Sequence, residues 1–596
     1  MAWYYEAVFY HIYPLGLTGA PKQNDYGEPV HRLNTLLPWV DHIKEIGGSA
    51  LYIGPLFESV GHGYETTDYK KLDSRLGTNE DLTAFVAYCH EQGIKVIFDG
   101  VFNHTGRDFF AFKDIQANRE NSQYKDWYCN VNFWGNNEYN DGFSYDNWGG
   151  YNLLVKLNQK NPAVVDYICD VIRFWVSEFD VDGIRLDAAD VLDFDFMKAL
   201  RRTANEVKPD FWLMGEVIHG DYSRWVNGET LHSVTNYTLH KALYSGHNDH
   251  NYFEIAHTVR RLQNMGTLKL YNFVDNHDVE RIYTKLTNKA HFAPVHVLLY
   301  TLPGVPSIYY GSEFGIEGRK EYGSDDSLRP ALNIEDYKDS VKTNPCTALI
   351  AALGKVRQAV PALSYGSYDE LMLTNRQFAY ARDLDGTRVI VSVNNDDAPA
   401  GMHLAAGNCT AYIGALSGEK VSVQDGHINI TQPANSGEIW VPDVTDLDVK
   451  PVKVVTKTES EAKTNTEDKA ASETATDAKG NKEAEPKIES KDIVTATESA
   501  DAKKNTTNTE KNISAANEVK DSAKDASAQA AADTPVDPET ITVDWSKSPE
   551  SMTVPELQAA ILAKLAGNGP VDAQMKKTVT DNIWHDSLVN WLKSFR

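Results

Sequence analysis

The chain has 596 residues, 42% of them hydrophobic, and a formal net charge of −26, which suits several folded domains including one large core. That acidic balance excludes a nucleic-acid footprint, which needs clustered lysine and arginine, and no run of about 18 apolar residues is present to span a bilayer. The start "MAWYYEAVFYHIYPL" lacks the basic n-region and small-residue cleavage site of a secretory signal, so the expected setting is the cytoplasm, away from membranes.

In chain order, short apolar runs alternate with stretches of helical period. "AVFYHIYPL" is followed by "SALYIGPLF" at 49–57 and "KVIFDGVFNH" at 95–104. Between the last two, "NEDLTAFVAYCHEQG" predicts a helix with an Asn79 cap, acids in its first turn and a stop at Gly93. Further strands are expected in "GIRLDAA", "FWLMGEV" at 211–217, "HSVTNY" at 232–237, "LKLYNFVDNHD" at 268–278 and "VPSIYYGSE" at 305–313, with helical patterns such as "PAVVDYICDVIRFWVSEF" at 162–179 between most of them. The alternation fits an α/β fold, a (β/α)8 TIM barrel, divided over residues 1–104 and 159–365. Residues 105–158, rich in asparagine, glycine and aromatics and without a clean helical period, read as a subdomain inserted after strand three.

Residues 366–443 change to alternating strands such as "RQFAYARDLDGTRVIVSVNN", where Asp385-Gly386 supplies a hairpin turn, and predict a C-terminal β-sandwich. Residues 444–540 carry no aromatic and cannot bury enough apolar area to offset chain entropy, so a disordered linker is expected. Residues 541–596 read as a helical hairpin, opened by a Thr553/Glu556 capping box and stopping first at Gly567; its apolar face leaves room for a protein partner. The five cysteines at 89, 129, 169, 346 and 409 form no C-x-x-C pair and read as reduced thiols.

"VDGIRLDAAD" places Arg185 and Asp187 two positions apart, hence on one face of a strand. Asp187 alone could cap a following helix. But four predicted strands end in a carboxylate, Asp99, Asp187, Glu216 and Asp278, flanked by Asn103, His104, Arg185, Asn276 and His277. Barrel enzymes carry their chemistry at those strand ends. Arg185 is expected to keep Asp187 ionised. An ionised carboxylate facing a carboxylic acid is what glycoside hydrolysis with retention requires: Asp187 as nucleophile, Glu216 as acid/base, and Asp278 stabilising the oxocarbenium-like transition state. Rings such as Tyr64 can stack on the apolar face of a pyranose.

"DGVFNH", "GIRLDAAD", "GEVIHGD" and "FVDNHD", in this order, resemble the four signature regions of the α-amylase family of glycoside hydrolases. The resemblance extends from residue 5 to about 445 and includes "GYETTDY" and "LPGVPSIYYGSEFGIEG". It implies the same three roles, places Tyr64, His104, Arg185 and His277 around the sugar at the cleavage point, and gives Asp99 a structural role beside the arginine. It implies cleavage of α-1,4 bonds in maltodextrins or starch-type α-glucans. The family's calcium-dependent α-amylases carry Lys-His soon after the nucleophile, where this chain has Asp190-Val191; Asn103 remains as one calcium ligand of an incomplete set, and no required metal or other cofactor is expected. "LLVKLN" at 153–158 and His219 are similar to neopullulanases and cyclomaltodextrinases, which keeps those specificities open. The reading from another class is an amylase-like binding or scaffold protein, which predicts eroded catalytic residues and a membrane anchor.

Overall fold

A computed structural model of the chain describes residues 2–445 except 267, 322 and 323, and, toward the C-terminus, residues 543, 545, 547–548, 552–566, 579 and 592. The barrel strands are β1 (Phe9–Ile12), β2 (Ala50–Ile53), β3 (Lys95–Gly100), β4 (Gly183–Leu186), β5 (Trp212–Gly215), β6 (Ser233–Val234), β7 (Tyr271–Asn272) and β8 (Val305–Tyr309). They form one 8-stranded sheet in which chain neighbours are sheet neighbours and β1 lies beside β8. A parallel bridge from Thr235 to Tyr271 joins the β6 and β7 edges and closes the ring. Nearly every strand residue is buried. Both faces of the sheet are covered, so the strands appear in the sequence as unbroken apolar runs rather than alternating ones.

Around the strands lie α1 (Leu37–Glu45), α2 (Asn79–Glu91), α3 (Pro162–Phe179), α4 (Phe194–Val207), α5 (Tyr237–Asn248), α6 (Tyr252–Asn264), α7 (Phe292–Thr301) and α8 (Pro345–Ala359). Between β5 and β6 the helical structure among the described residues is the single 3₁₀ turn Tyr222–Arg224. The cap of α2 is Thr78, one residue before the expected Asn79. Thr78 and Asp81 exchange a reciprocal capping box, the Thr78 N–H donating to Asp81 Oδ2 at 2.8 Å. Asn79 instead ties the helix to the strand Thr66–Leu72 in the β2–α2 connection, donating to Lys70 O and accepting from Leu72 N. The helix ends as expected, with Gly93 in the left-handed region at φ 79°.

The insertion after β3 pairs His104–Thr105 with Tyr151–Lys156. It also holds a helix, Phe110–Asn118, that sequence periodicity did not reveal. A helix this short has few inward positions; Ala111, Phe112 and Ile115 fill them. Phe112 packs edge-on to Tyr128 and Tyr145, while Arg107 forks onto Asp141 at 2.7 and 2.8 Å.

The C-terminal strands are β9 (Ser367–Leu373), β10 (Gln377–Leu384), β11 (Thr387–Asn394), β12 (Ala400–Ala405), β13 (Ala411–Gly414), β14 (Lys420–Ser422), β15 (His427–Gln432) and β16 (Ser436–Pro442). A 6-stranded antiparallel sheet faces the two-stranded β12–β15 ladder across Ile390, Met402, Leu404, Ile428 and Trp440. Asp385 and Gly386 both have positive φ, 50° and 83°, as the two-residue turn between β10 and β11 requires. On the barrel side, a Cβ at Gly437 would lie 2.9 Å from the Val297 side chain, so glycine there lets β16 approach α7.

The described residues of the C-terminal stretch belong to a second compact unit. Its helix, Val554–Ala566, starts where the Thr553 N–H donates to Glu556 Oε2 at 2.7 Å, and Leu557, Ala560 and Ile561 cluster with Val579 and Leu592. The expected linker beyond residue 445, the stop at Gly567 and all but residues 579 and 592 of the second terminal helix lie outside the described residues. Among the described residues no helix is long and apolar enough to cross a membrane.

Candidate active site

Strand register sets the site. Asp99 on β3 pairs with Arg185 on β4, and Leu186 pairs with Gly215 on β5, so the next residues of β4 and β5, Asp187 and Glu216, stand side by side. Adjacent parallel strands are about 4.8 Å apart. The ladder continues through both: Glu216 N donates to Leu186 O at 2.9 Å and Asp187 N to Gly100 O at 3.0 Å. Arg185 Nη1 donates to Asp99 Oδ1 at 2.8 Å and to Asp187 Oδ1 at 2.9 Å, while Nη2 lies 3.0 Å from Glu216 Oε2. The sequence paired this guanidinium with Asp187; in the structure it binds three carboxylates. All four side chains are buried.

Asp187 is not a helix cap. The cap of α4 is Asp193, whose Oδ1 accepts from Asp195 N and Phe196 N. After Asp187 the backbone turns through Ala188, a non-glycine residue at φ 46°, a conformation costing roughly 1–2 kcal/mol. The turn aims the Ala188 N–H at Glu216 Oε2, 3.1 Å away.

Asp99 accepts from Tyr52 OH at 2.8 Å and from Tyr64 OH at 3.1 Å in addition to Arg185. Burial pushes its carboxyl above the usual range against the pull of Arg185. Tyr64 also hydrogen-bonds His277 Nε2, with the two rings stacked at 5.7 Å and 12°. His104 Nε2 lies 3.1 Å from Tyr64 O, and His277 Nε2 lies 3.3 Å from Asp278 Oδ2. Burial lowers His277 to about 3, so its ring is neutral at ordinary pH. The contacts link Asp187, Glu216, Asp278, Tyr64, His104, Arg185 and His277 into one cluster with Asp99.

Asp278 does not end a strand, as the sequence suggested. β7 stops at Asn272, and Asp278 sits in the following loop, where Asn276 Oδ1 accepts from its N–H at 2.8 Å. Arg329 Nη2 holds the Asp278 carboxylate at 3.1 Å and Asp325 at 2.9 Å, while Nε donates to His277 O at 2.9 Å. Arg329 and Asp325 were missed because "SDDSLRPAL" carries no periodic or motif signal. Tyr237, donating to Glu216 Oε1 at 3.3 Å, was missed as the first residue of a helix. Tyr52 could have been found by counting in twos along β2.

Near the site, Asn103 donates to His104 Nδ1 at 3.2 Å, and its oxygen faces the Gln159 amide nitrogen at 3.5 Å. Gln159 Oε1 accepts from Asp193 N at 2.7 Å. Both amides are buried. An N–H directed at the Asn103 oxygen is the opposite of what a cation needs, and no group of three or more histidine, cysteine, aspartate or glutamate side chains is placed to hold a metal among the described residues. His219 is exposed in the loop after β5.

A closed (β/α)8 barrel gathering carboxylates, a guanidinium and two imidazoles at the C-terminal ends of its strands has its functional groups where barrel enzymes carry their chemistry. A family model described as "Alpha amylase, catalytic domain" matches residues 32–355. A cyclomaltodextrinase from Bacillus sp is 31% identical over 422 residues, covering 67% of this chain and 74% of that protein. An intracellular maltogenic amylase from Bacillus subtilis is 30% identical over 370 residues, 61% of each chain. Among solved structures, the Nostoc punctiforme debranching enzyme is similar at a TM-score of 0.64 and 25% identity, over 74% of this chain and 98% of that one. The chain belongs to the α-amylase family of glycoside hydrolases.

Proposed function

We propose that this glycoside hydrolase cleaves α-1,4-glucosidic bonds of maltodextrins and related α-glucans with retention of anomeric configuration. The observation that carries the reading is the Asp187–Arg185–Glu216 cluster, in which one guanidinium touches both carboxylates at 3.0 Å or less. Three buried carboxylates around one cation leave excess negative charge, which favours one proton shared among them. With that proton on Glu216, the leaving glycosidic oxygen is protonated as the Asp187 carboxylate bonds to the anomeric carbon. Glu216, now ionised, then takes a proton from water, whose oxygen attacks the same carbon and releases Asp187. Asp278, fixed by Arg329, faces the positive charge that builds on the sugar ring. Neutral His277 keeps a buried Nδ1 without a protein partner among the described residues, suited to a sugar hydroxyl.

The names of the relatives support oligosaccharides and cyclic dextrins as substrates, and the intracellular relative supports a cytoplasmic setting. The complete carboxylate set weighs against a scaffold protein. The Asn103–Gln159 amide pair supports a fold that needs no calcium at this position. The test is chromatography of products from maltoheptaose, β-cyclodextrin, pullulan and sucrose, with NMR of the first-formed anomer and an Asp187→Asn control. Maltose-series products appearing first as the α-anomer are expected. A first-formed β-anomer refutes Asp187 as nucleophile, and no turnover of any of the four refutes the substrate class.

A further inference from the structure

The insertion carries an aromatic display that the carboxylate cluster does not use. Trp134 is 97% exposed, against the strong tendency of tryptophan to bury most of its surface. Its neighbour Phe133 turns inward, 5.7 Å from the Phe143 ring, so the "FW" pair places one ring in the subdomain core and the other in solvent. Among the described residues the Trp134 indole contacts no other ring and no cation. Its backbone is nonetheless tightly fixed. Trp134 N donates to Asn132 Oδ1 at 3.0 Å and Gly135 N to Asn132 O at 3.1 Å, while Asn132 and Ser144 exchange backbone hydrogen bonds at 2.8 and 3.0 Å. A Cβ on Gly135 would sit 2.3 Å from Ser144 Oγ, so glycine there is what allows the turn to close against its partner segment. The ring is displayed on a hydrogen-bonded turn.

Trp134 forms part of the wall of an open cavity of about 670 Å³, whose lining joins the polar Glu120, Asn130, Asn132, Ser144 and Asp146 to the apolar Val131, Phe133 and Tyr145, within the size range of small-molecule sites. The lining combines amide, hydroxyl and carboxylate groups with aromatic and aliphatic surface. It offers acceptors and donors to hydroxyl groups and repels phosphates through its two acids, Glu120 and Asp146. A flat indole beside hydroxyl-directed polar groups matches a sugar ring, which has an apolar C–H face and a polar rim. We propose that Trp134 and this cavity form a second glucan-binding site, sharing no residue with the carboxylate cluster, that holds long substrate chains near the enzyme. The choice of an α-glucan as the sugar rests on the function proposed above.

The test uses the full-length chain. Retention in native gels containing amylopectin is measured for Asp187→Asn, which should bind without turnover, alone and combined with Trp134→Ala or Trp134→Tyr. Losing one stacking platform should weaken retention about 3- to 10-fold, with the tyrosine variant intermediate. In the active enzyme, Trp134→Ala should raise KM for amylopectin by a similar factor and leave kcat/KM for maltotriose, too short to occupy both sites, within about twofold. Thermal melting should not move, because the side chain supports no packing. Unchanged retention overturns the proposal while leaving the hydrolase reading intact. Equal losses on amylopectin and maltotriose also overturn it, because they make Trp134 part of the cleavage cleft. If the wild-type chain neither cleaves nor is retained by any α-glucan, the substrate reading fails first and this site falls with it.

Discussion

Arg185→Lys is the perturbation to which the site should respond most. Lysine keeps the charge but replaces a fork by a single nitrogen on a differently shaped stem. The wild-type guanidinium makes contacts of 2.8, 2.9 and 3.0 Å to Asp99, Asp187 and Glu216 through two different nitrogens. An ammonium cannot reproduce that spread, and two contacts should be lost or lengthened. A hydrogen bond to a charged group contributes roughly 1.5–3 kcal/mol, so the gross loss is about 3–6 kcal/mol, divided between the fold and the transition state. The part falling on the transition state should appear in kcat rather than KM, because the carboxylates would be misplaced while the sugar contacts proposed for His277 and Tyr64 would not be touched. Expected outcomes are a fall in kcat of at least about 100-fold, equivalent to 2.7 kcal/mol, and a lower urea midpoint. Steady-state kinetics on maltoheptaose and urea unfolding followed by fluorescence provide both numbers. A kcat within threefold of wild type together with an unchanged midpoint would show that the shared guanidinium does not organise the carboxylates.

Acid should destabilise the fold through its buried imidazoles. Burial lowers His247 and His277 to about 3 and His296 to about 4, so below the ordinary value near 6.5 the unfolded chain binds protons that the folded one does not. Their contribution is complete well above pH 6.5 and is lost progressively as pH falls down to about 4 for His296 and about 3 for His247 and His277, by about 2 kcal/mol each at pH 5. Urea unfolding at pH 7 and pH 5 tests this; His296→Leu should recover about 2 kcal/mol of the difference, and an identical pH dependence in the variant counts against the assignment. At the amide pair, Gln159→Ala should cost about 1–3 kcal/mol by stranding the Asp193 N–H. Chelator treatment of the wild type should leave its melting temperature and activity unchanged; a chelator-sensitive wild type would contradict the metal-free reading.

The parts of this molecule legible in its sequence are those that short-range rules control. A barrel buries both faces of its strands and directs their C-terminal ends to one rim, so apolar runs ending in Asp99, Asp187 and Glu216 were enough to place three carboxylates together. Arg185 followed from the two-residue period of a strand. Its third contact, to Glu216, did not, because it depends on the register between β4 and β5. Asp278 was recognisable as a residue but not as a loop residue, since its position is imposed by Arg329, which arrives from 51 positions along the chain. Local competition explains the smaller differences: Thr78 displaces Asn79 as a cap because its partner Asp81 sits at the third helical position.

His104 occupies a double position. It reaches the site through Tyr64, and it is also the first rung of the ladder that founds the insertion, in register with Lys156. The boundary between barrel and insertion is therefore not a seam at which one module could be exchanged for another. Any graft of a relative's loop that shifts the His104–Lys156 register by one residue turns the imidazole to the opposite face of its strand. Recombining specificities in this scaffold would have to cut inside the insertion, past Thr105 and before Val155, leaving the founding pair with the host.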